Sequence, residues 1–146
     1  MKCKDIMKSD VECVSPEASM HRAAAVMRDT NVGFLPVCNE SMQVVGTVTD
    51  RDLVIRGLAE GRADTTPVRD LMTRHLVACD PDDDLDRARE LMASNQKSRI
   101  VCVNRNGRLE GVISLSDLAQ LGETSGIETL REVASRESRS DSIYAS

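Results

Sequence analysis

At 146 residues the chain can bury one good core, or two small units that share an interface, and is too short for two independent domains. Its 24 acidic and 19 basic residues give a net charge of −5 without a basic block, which argues against nonspecific binding to nucleic acid or to anionic membranes. No run approaches the roughly 18 apolar residues of a membrane span. We therefore expect a cytoplasmic protein with no membrane partner.

The first half of the chain reads as helix, strand, strand, helix. Ser15-Pro16-Glu17 predicts an N-cap, a proline at the first helical position and an acidic first turn, for a helix over Ala18–Arg28. Two strand-like runs follow, at Gly33–Cys38 and Val44–Thr49, and a second helix is predicted from about Asp50 to Ala59.

The second half repeats this order. Asp80-Pro81-Asp82-Asp83-Asp84 predicts another helix start, for a helix from about Asp84 to Ser94. Strands are predicted at Arg99–Val103 and Leu109–Ser114, with a final helix from about Leu115 to Leu121. Beyond it, Ile127, Leu130 and Val133 lie on one face of a predicted short helix.

The two halves are copies of one unit. Shifting residues 5–53 by 65 positions lays them on residues 70–118 without a gap, with ten identities in 49 positions. We predict one repeat at 1–60, a linker at 61–66, a second repeat at 67–122, and a C-terminal helix followed by a disordered tail at 123–146.

The five cysteines are scattered, and no C-x-x-C pair is present. An odd count argues against a disulfide framework, and the spacing with only two histidines predicts no metal site. We interpret Cys38 and Cys102, which lie in apolar runs, as core residues and expect Cys3 near the N-terminus to be the accessible thiol. The sequence also contains no HExxH motif, nucleophile elbow or Gly-rich phosphate loop, so we expect a protein that is not an enzyme.

A short motif recurs where a strand ends and a helix begins. Gly46 to Asp52 and Gly111 to Asp117 each place a hydroxyl residue three positions after the glycine, and an aspartate three positions after the hydroxyl. Together with the duplication and Leu35-Pro36-Val37, this motif resembles the signature of CBS domains, which occur as tandem pairs called Bateman modules. The resemblance covers about residues 2–122. Through Thr49–Ala59 the chain is most similar to small stand-alone bacterial CBS-pair proteins of the hypoxic response type.

The resemblance implies an α/β (α+β) fold of two pseudo-symmetric CBS repeats, each a small sheet packed with two helices, joined as a CBS pair that usually forms a homodimer. It implies a regulatory module that binds an adenosyl ligand (AMP, ADP, ATP, S-adenosylmethionine or NAD type) in the cleft between repeats and signals energy or metabolic state to an unknown effector protein. No obligatory cofactor is implied, and nucleic acid is a disfavoured partner. The alternative is a ligand-free dimerisation or protein-interaction module.

Two chemical roles fit the repeated motif. A hydroxyl with a carboxylate three residues later can hydrogen-bond the vicinal hydroxyls of a ribose, and the same spacing is that of a helix capping box. The resemblance implies Arg99 as the first phosphate contact and Arg51 as the second, whereas Arg99 is alternatively a solvated guanidinium. By their positions in the resemblance, Leu35, Pro36 and Ile100 are candidates for packing against the base, and the alternative is that they are plain core residues. The candidate nucleotide-binding residues are therefore Thr49, Arg51, Asp52, Arg99, Ser114, Ser116, Asp117, Leu35, Pro36 and Ile100.

Overall fold

The computed structural model describes residues 1–121 and 131–134, and the chain divides into two compact units. The first-copy unit consists of residues 10–76 together with 105–109. The second-copy unit consists of residues 1–9, 77–104 and the described residues from Glu110 onward. The repeat boundaries drawn along the sequence remain a prediction, because each compact unit combines segments that lie far apart in the chain.

The first-copy unit contains helix α1 (Met20–Thr30), strands β1 (Phe34–Cys38) and β2 (Val44–Thr49), and helix α2 (Asp50–Asp52), which continues as a π-helical segment over Leu53–Leu58. A 3-10 helix at Val68–Asp70 follows. Strands β1 and β2 are antiparallel, with Phe34 opposite Thr49 and Pro36 opposite Thr47. Val14 adds a single parallel bridge to Val37 on β1.

The second-copy unit begins with a 3-10 helix at Cys3–Asp5. It continues with strand β3 (Ala78–Cys79), helix α3 (Leu85–Asn95), strands β4 (Arg99–Val103) and β5 (Leu109–Ser114), and helix α4 (Leu115–Ala119). The three strands form one sheet in the order β3-β4-β5. The mixed helix and strand content confirms the predicted α/β (α+β) class, and three of the four predicted strands have the predicted bounds.

The predicted N-caps of the first helix of each copy need a correction. Helix α1 is capped by Ser19, whose side chain accepts a hydrogen bond from the Arg22 N–H at 3.0 Å, and α3 is capped by Asp84. Ser15 instead accepts from the Glu17 N–H within a turn at 3.1 Å. Serine and aspartate form such local turns readily, so a turn containing the proline precedes each helix by a few residues.

Each unit has its own apolar core. In the first-copy unit, side chains of α1, both strands and the segment after the linker are buried together: Val14, Met20, Ala23, Val26, Met27, Leu35, Val37, Val48, Leu53, Val68, Leu71 and Met72. In the second-copy unit the buried set is Cys3, Cys79, Leu85, Ala88, Met92, Ile100, Cys102, Ile113, Leu115, Leu118 and Val133. Burial of this apolar surface is the main stabilising contribution to each unit.

The structure describes only part of the segment for which a C-terminal helix and tail are predicted. Residues 131–134 are helical, and Val133 is buried in the second-copy core, as expected for the apolar face of a docked helix. Ile127, Leu130 and the predicted tail lie outside the described residues. Within the described part of the chain, no helix is both long enough and apolar enough to cross a bilayer.

Candidate functional site

The start of α2 is held by a reciprocal pair of hydrogen bonds. The Asp52 N–H donates to Thr49 Oγ1 at 3.1 Å, and the Thr49 N–H donates to Asp52 Oδ2 at 2.9 Å. This geometry confirms the capping-box interpretation, with aspartate in the place usually taken by glutamate or glutamine. Arg51 lies in the same turn and is exposed.

The start of α4 has the same arrangement. The Asp117 N–H donates to Ser114 Oγ at 3.2 Å, and the Ser114 N–H donates to Asp117 Oδ2 at 2.9 Å. The hydroxyl oxygens of Ser114 and Ser116 lie 2.8 Å apart, so one donates to the other. Ser114 is the buried polar residue of this turn, whereas Ser116 is exposed. In both copies the cap therefore fixes the orientation of the aspartate.

The second carboxylate oxygen of each aspartate faces a cation, and the two cations come from different places. Asp52 Oδ1 lies 3.8 Å from Nε of Arg56, one turn later on the same helix. Asp117 Oδ1 lies 3.8 Å from Nζ of Lys8, which belongs to the N-terminal segment. Neither Arg56 nor Lys8 is among the candidate site residues predicted from the sequence. Arg56 could have been found from its i,i+4 spacing, but a contact across 109 positions leaves no local signal.

Each helix start is also tied to the residue that precedes a strand. The Asp50 N–H donates to the Gly33 carbonyl at 3.0 Å, and the Leu115 N–H donates to the Ser98 carbonyl at 2.7 Å. Because Arg99 directly follows Ser98, its backbone lies beside the start of α4. The residue is exposed. The structure thus brings the Arg99 backbone into the neighbourhood of Ser114, Ser116 and Asp117, and the role of its guanidinium as a phosphate contact stays a prediction.

The three apolar candidates are core residues. Leu35 and Pro36 lie on β1 and Ile100 on β4, and all three are fully buried. Leu35 pairs with Val48 and Pro36 with Thr47 across the first sheet, next to the capping box. Their predicted contact with an adenine base remains a prediction, as do the ligand roles of the polar candidates.

Two equivalent glycines let a second backbone segment approach each site. A Cβ on Gly46 would lie 2.8 Å from the carbonyl oxygen of Thr73, and a Cβ on Gly111 would lie 2.7 Å from that of Lys8. The Lys8 and Val112 backbones exchange two hydrogen bonds of 3.0 Å, so the N-terminal segment is fixed against the end of β5. The glycine of the repeated motif is therefore required by close packing, not by a turn conformation.

The thiols differ from expectation at one position. Cys3 is fully buried in the core of the second-copy unit, so the prediction that it is the accessible cysteine was wrong; Cys13 is instead partly exposed. Burial raises the pKa of the Cys3 and Cys38 thiols to about 12. A hydrogen bond with Cys102, whose sulfur is 3.3 Å away, and burial raise the pKa of Cys79 further. The raised pKa values keep Cys3, Cys38 and Cys79 protonated well above neutral pH.

Each copy of the repeated unit matches the model of a known protein family. The family model of the CBS domain matches residues 3–57 and again residues 68–123. The chain belongs to the CBS domain family. This confirms the resemblance that the repeated motif indicated, and it accounts for both copies of the unit as a tandem CBS pair.

Curated relatives of this CBS pair include small bacterial proteins. CBS domain-containing protein YhcV of Bacillus subtilis is 40% identical over 80% of this chain and 81% of that protein. Hypoxic response protein 1 of Mycobacterium tuberculosis is 30% identical over 80% of this chain and 82% of that protein. The predicted similarity to proteins of the hypoxic response type is thereby confirmed.

Solved structures share the fold of the CBS pair. The crystal structure of Hypoxic Response Protein I with two coordinated zinc ions aligns at a TM-score of 0.75 with 30% identity, over 82% of this chain and 98% of that one. The CBS domain pair of protein MJ0100, in complex with 5'-methylthioadenosine and S-adenosyl-L-methionine, aligns at 0.74 with 23% identity, over 83% and 94%. CBSX2 in complex with AMP aligns at 0.72 with 23% identity, over 83% and 95%. Within residues 1–121 and 131–134 of this chain, no group of three His, Cys, Asp or Glu side chains is arranged to hold a metal ion.

Proposed function

We propose that this CBS pair is a regulatory module, not an enzyme, that binds an adenosyl ligand at the starts of α2 and α4. The ligand is of AMP, ADP, ATP, S-adenosylmethionine or NAD type. Two proteins of the same fold, MJ0100 and CBSX2, form complexes with adenosyl compounds, which supports this ligand class. Binding signals energy or metabolic state to an effector protein.

One observation carries the proposal: in both copies the cap presents a carboxylate oxygen that the cap does not use. In Asp52 and in Asp117, Oδ2 accepts a hydrogen bond from a backbone N–H. The other carboxylate oxygen, Oδ1, faces a side-chain cation at 3.8 Å. A ribose has two adjacent hydroxyl donors, and a carboxylate with a fixed orientation can accept from both. The aspartate is thus held in place before the ligand arrives, which reduces the entropy lost on binding.

The second candidate function is a ligand-free dimerisation or protein-interaction module. It is favoured by Val54 and Leu58, which follow α2 at i,i+4 spacing and leave 51% and 70% of their surfaces exposed. Large apolar side chains grouped on one helical face are typical of an interface. We propose that this face forms a homodimer, in which case both functions coexist.

Thermal unfolding with a ligand panel tests the adenosyl proposal. The panel contains AMP, ADP, ATP, S-adenosylmethionine and NAD, with GMP and inorganic phosphate as controls. A ligand at 100 times its Kd adds about 2.7 kcal/mol, which raises Tm by several degrees in a domain of this size. Calorimetric titration then gives the number of sites. If no adenosyl compound at millimolar concentration raises Tm, the sensor proposal fails and the interaction module is favoured.

Matched variants separate ligand binding from capping. Asp52→Asn and Asp117→Asn keep the size of the side chain but remove its charge, so each is expected to eliminate one of two binding sites. Asp29→Asn is the control, because Asp29 is an exposed aspartate that pairs with Arg28 and belongs to neither capping box. If neither cap variant loses ligand binding, the ligand binds elsewhere.

A further inference from the structure

The two capping boxes are equivalent by the repeat, but their cations are not. Position 8 corresponds to Thr73 in the other copy, and position 56 corresponds to Leu121. Among the described residues, each aspartate has an ion pair with a cation from a different element: Arg56 for Asp52 and Lys8 for Asp117, both at 3.8 Å. This asymmetry predicts different ligand preferences at the two sites.

The guanidinium of Arg56 already has hydrogen-bond and ion-pair partners within the protein. Its Nη1 donates to the carbonyl oxygens of Leu71 and Met72, at 3.3 and 3.2 Å, while its Nε faces Asp52. Two carbonyl acceptors and a carboxylate hold the guanidinium against the segment after the linker. Moving it toward a ligand would leave these carbonyls without that donor, which is unfavourable.

Lys8 is held differently. Its backbone is fixed by the two hydrogen bonds with Val112 and by close contact with Gly111. Its side chain, in contrast, is 70% exposed, whereas that of Asp117 is 11% exposed. Because the ammonium is largely solvated, its long contact of 3.8 Å with the carboxylate contributes little to stability. The ammonium can therefore leave the carboxylate for a phosphate oxygen while its anchor point stays at the site.

We infer that Lys8 is a specificity-determining residue that makes the α4 site select phosphorylated adenosyl ligands over uncharged ones. The inference rests on the proposed function and adds the ligand class of one of its two sites. Binding of the ribose by Asp117 Oδ1 removes the partner of Lys8 Nζ, and a phosphate of the same ligand replaces it. The ammonium thus exchanges its ion pair with Asp117 for an ion pair with the phosphate, and the carboxylate accepts hydrogen bonds from the ribose hydroxyls instead.

Calorimetric titration of adenosine and AMP tests the inference, with Asp52→Asn as the background so that only the α4 site is observed. Lys8→Ala is expected to weaken AMP about tenfold and to leave adenosine within twofold, since only the phosphate loses a charged partner. Lys8→Arg should restore AMP binding. The control is Lys4→Ala, because Lys4 lies in the same segment and pairs with Asp82 at 3.1 Å on the surface.

The outcomes are distinct. An equal loss of adenosine and AMP affinity in Lys8→Ala would overturn the inference, because it would assign Lys8 a structural role, as would unchanged AMP affinity. In either case wild-type binding would still support the adenosyl proposal. If the wild-type protein binds neither compound nor any other member of the panel, both proposals fail. Thermal unfolding of Lys8→Ala should match that of Lys4→Ala, which verifies that the variant is folded.

Discussion

Replacing Gly111 by alanine is the most direct test of how the N-terminal segment is held at the α4 site. The added methyl group would lie 2.7 Å from the Lys8 carbonyl oxygen and 2.9 Å from both Cγ and Sδ of Met7. The methionine side chain can adjust, but the carbonyl belongs to a backbone that exchanges two hydrogen bonds with Val112. The segment must therefore move away, and Lys8 must move with it.

The magnitude follows from these contacts. A normal contact of a methyl group with an oxygen is about 3.4 Å, so the segment must move by several tenths of an ångström, and overpacking of this kind costs about 1–3 kcal/mol. Weakening two backbone hydrogen bonds adds about 1 kcal/mol. We expect Gly111→Ala to lower the free energy of unfolding by about 2–4 kcal/mol, which corresponds to a Tm lower by about 6–12 °C.

The repeat supplies a matched experiment in the other copy. Gly46→Ala meets the Thr73 carbonyl oxygen at 2.8 Å and should cost a similar amount. Glu110→Ala, an exposed strand residue next to Gly111, is the control and should change Tm by less than about 1–2 °C. Urea and thermal unfolding measure all three variants. If Gly111→Ala unfolds at the same Tm as Glu110→Ala, the close packing of the two backbones is not what requires the glycine.

Two further predictions concern the thiols and the dimer. Because the pKa values of Cys3 and Cys38 rise from 9.0 to about 12 on folding, the folded protein holds these protons more tightly than the unfolded chain. Their contribution is therefore full below pH 9 and falls as the pH rises from 9 to 12, with a slope on the order of 1 kcal/mol per pH unit. Urea unfolding at pH 8.5 and 10.5 should show a smaller loss in Cys38→Ala than in the wild type, and equal losses would contradict this. Leu58→Asp should convert a homodimer to a monomer in light scattering; a monomeric wild type, or a variant that stays dimeric, would refute the proposed interface.

Much of the local structure could be predicted from the sequence, because it depends on short-range patterns. The duplication, the strands Val44–Thr49, Arg99–Val103 and Leu109–Ser114, and both capping boxes follow from residue types at fixed spacings. The choice between Ser15 and Ser19 as an N-cap did not follow, because both residues can accept a backbone hydrogen bond and the proline favours either a turn or a helix start.

The sequence by itself determined the family, the repeated unit and the aspartate at the start of each helix. Only the tertiary structure decided which distant segment completes each site. Residues 1–9 pack in the second-copy unit, which places Lys8 at Asp117, while Leu71 and Met72 pack in the first-copy unit and hold Arg56. The physical reason is that close backbone packing at Gly46 and Gly111 selects these partners. Contacts between residues that lie far apart in the chain have no periodicity or spacing by which the sequence could reveal them.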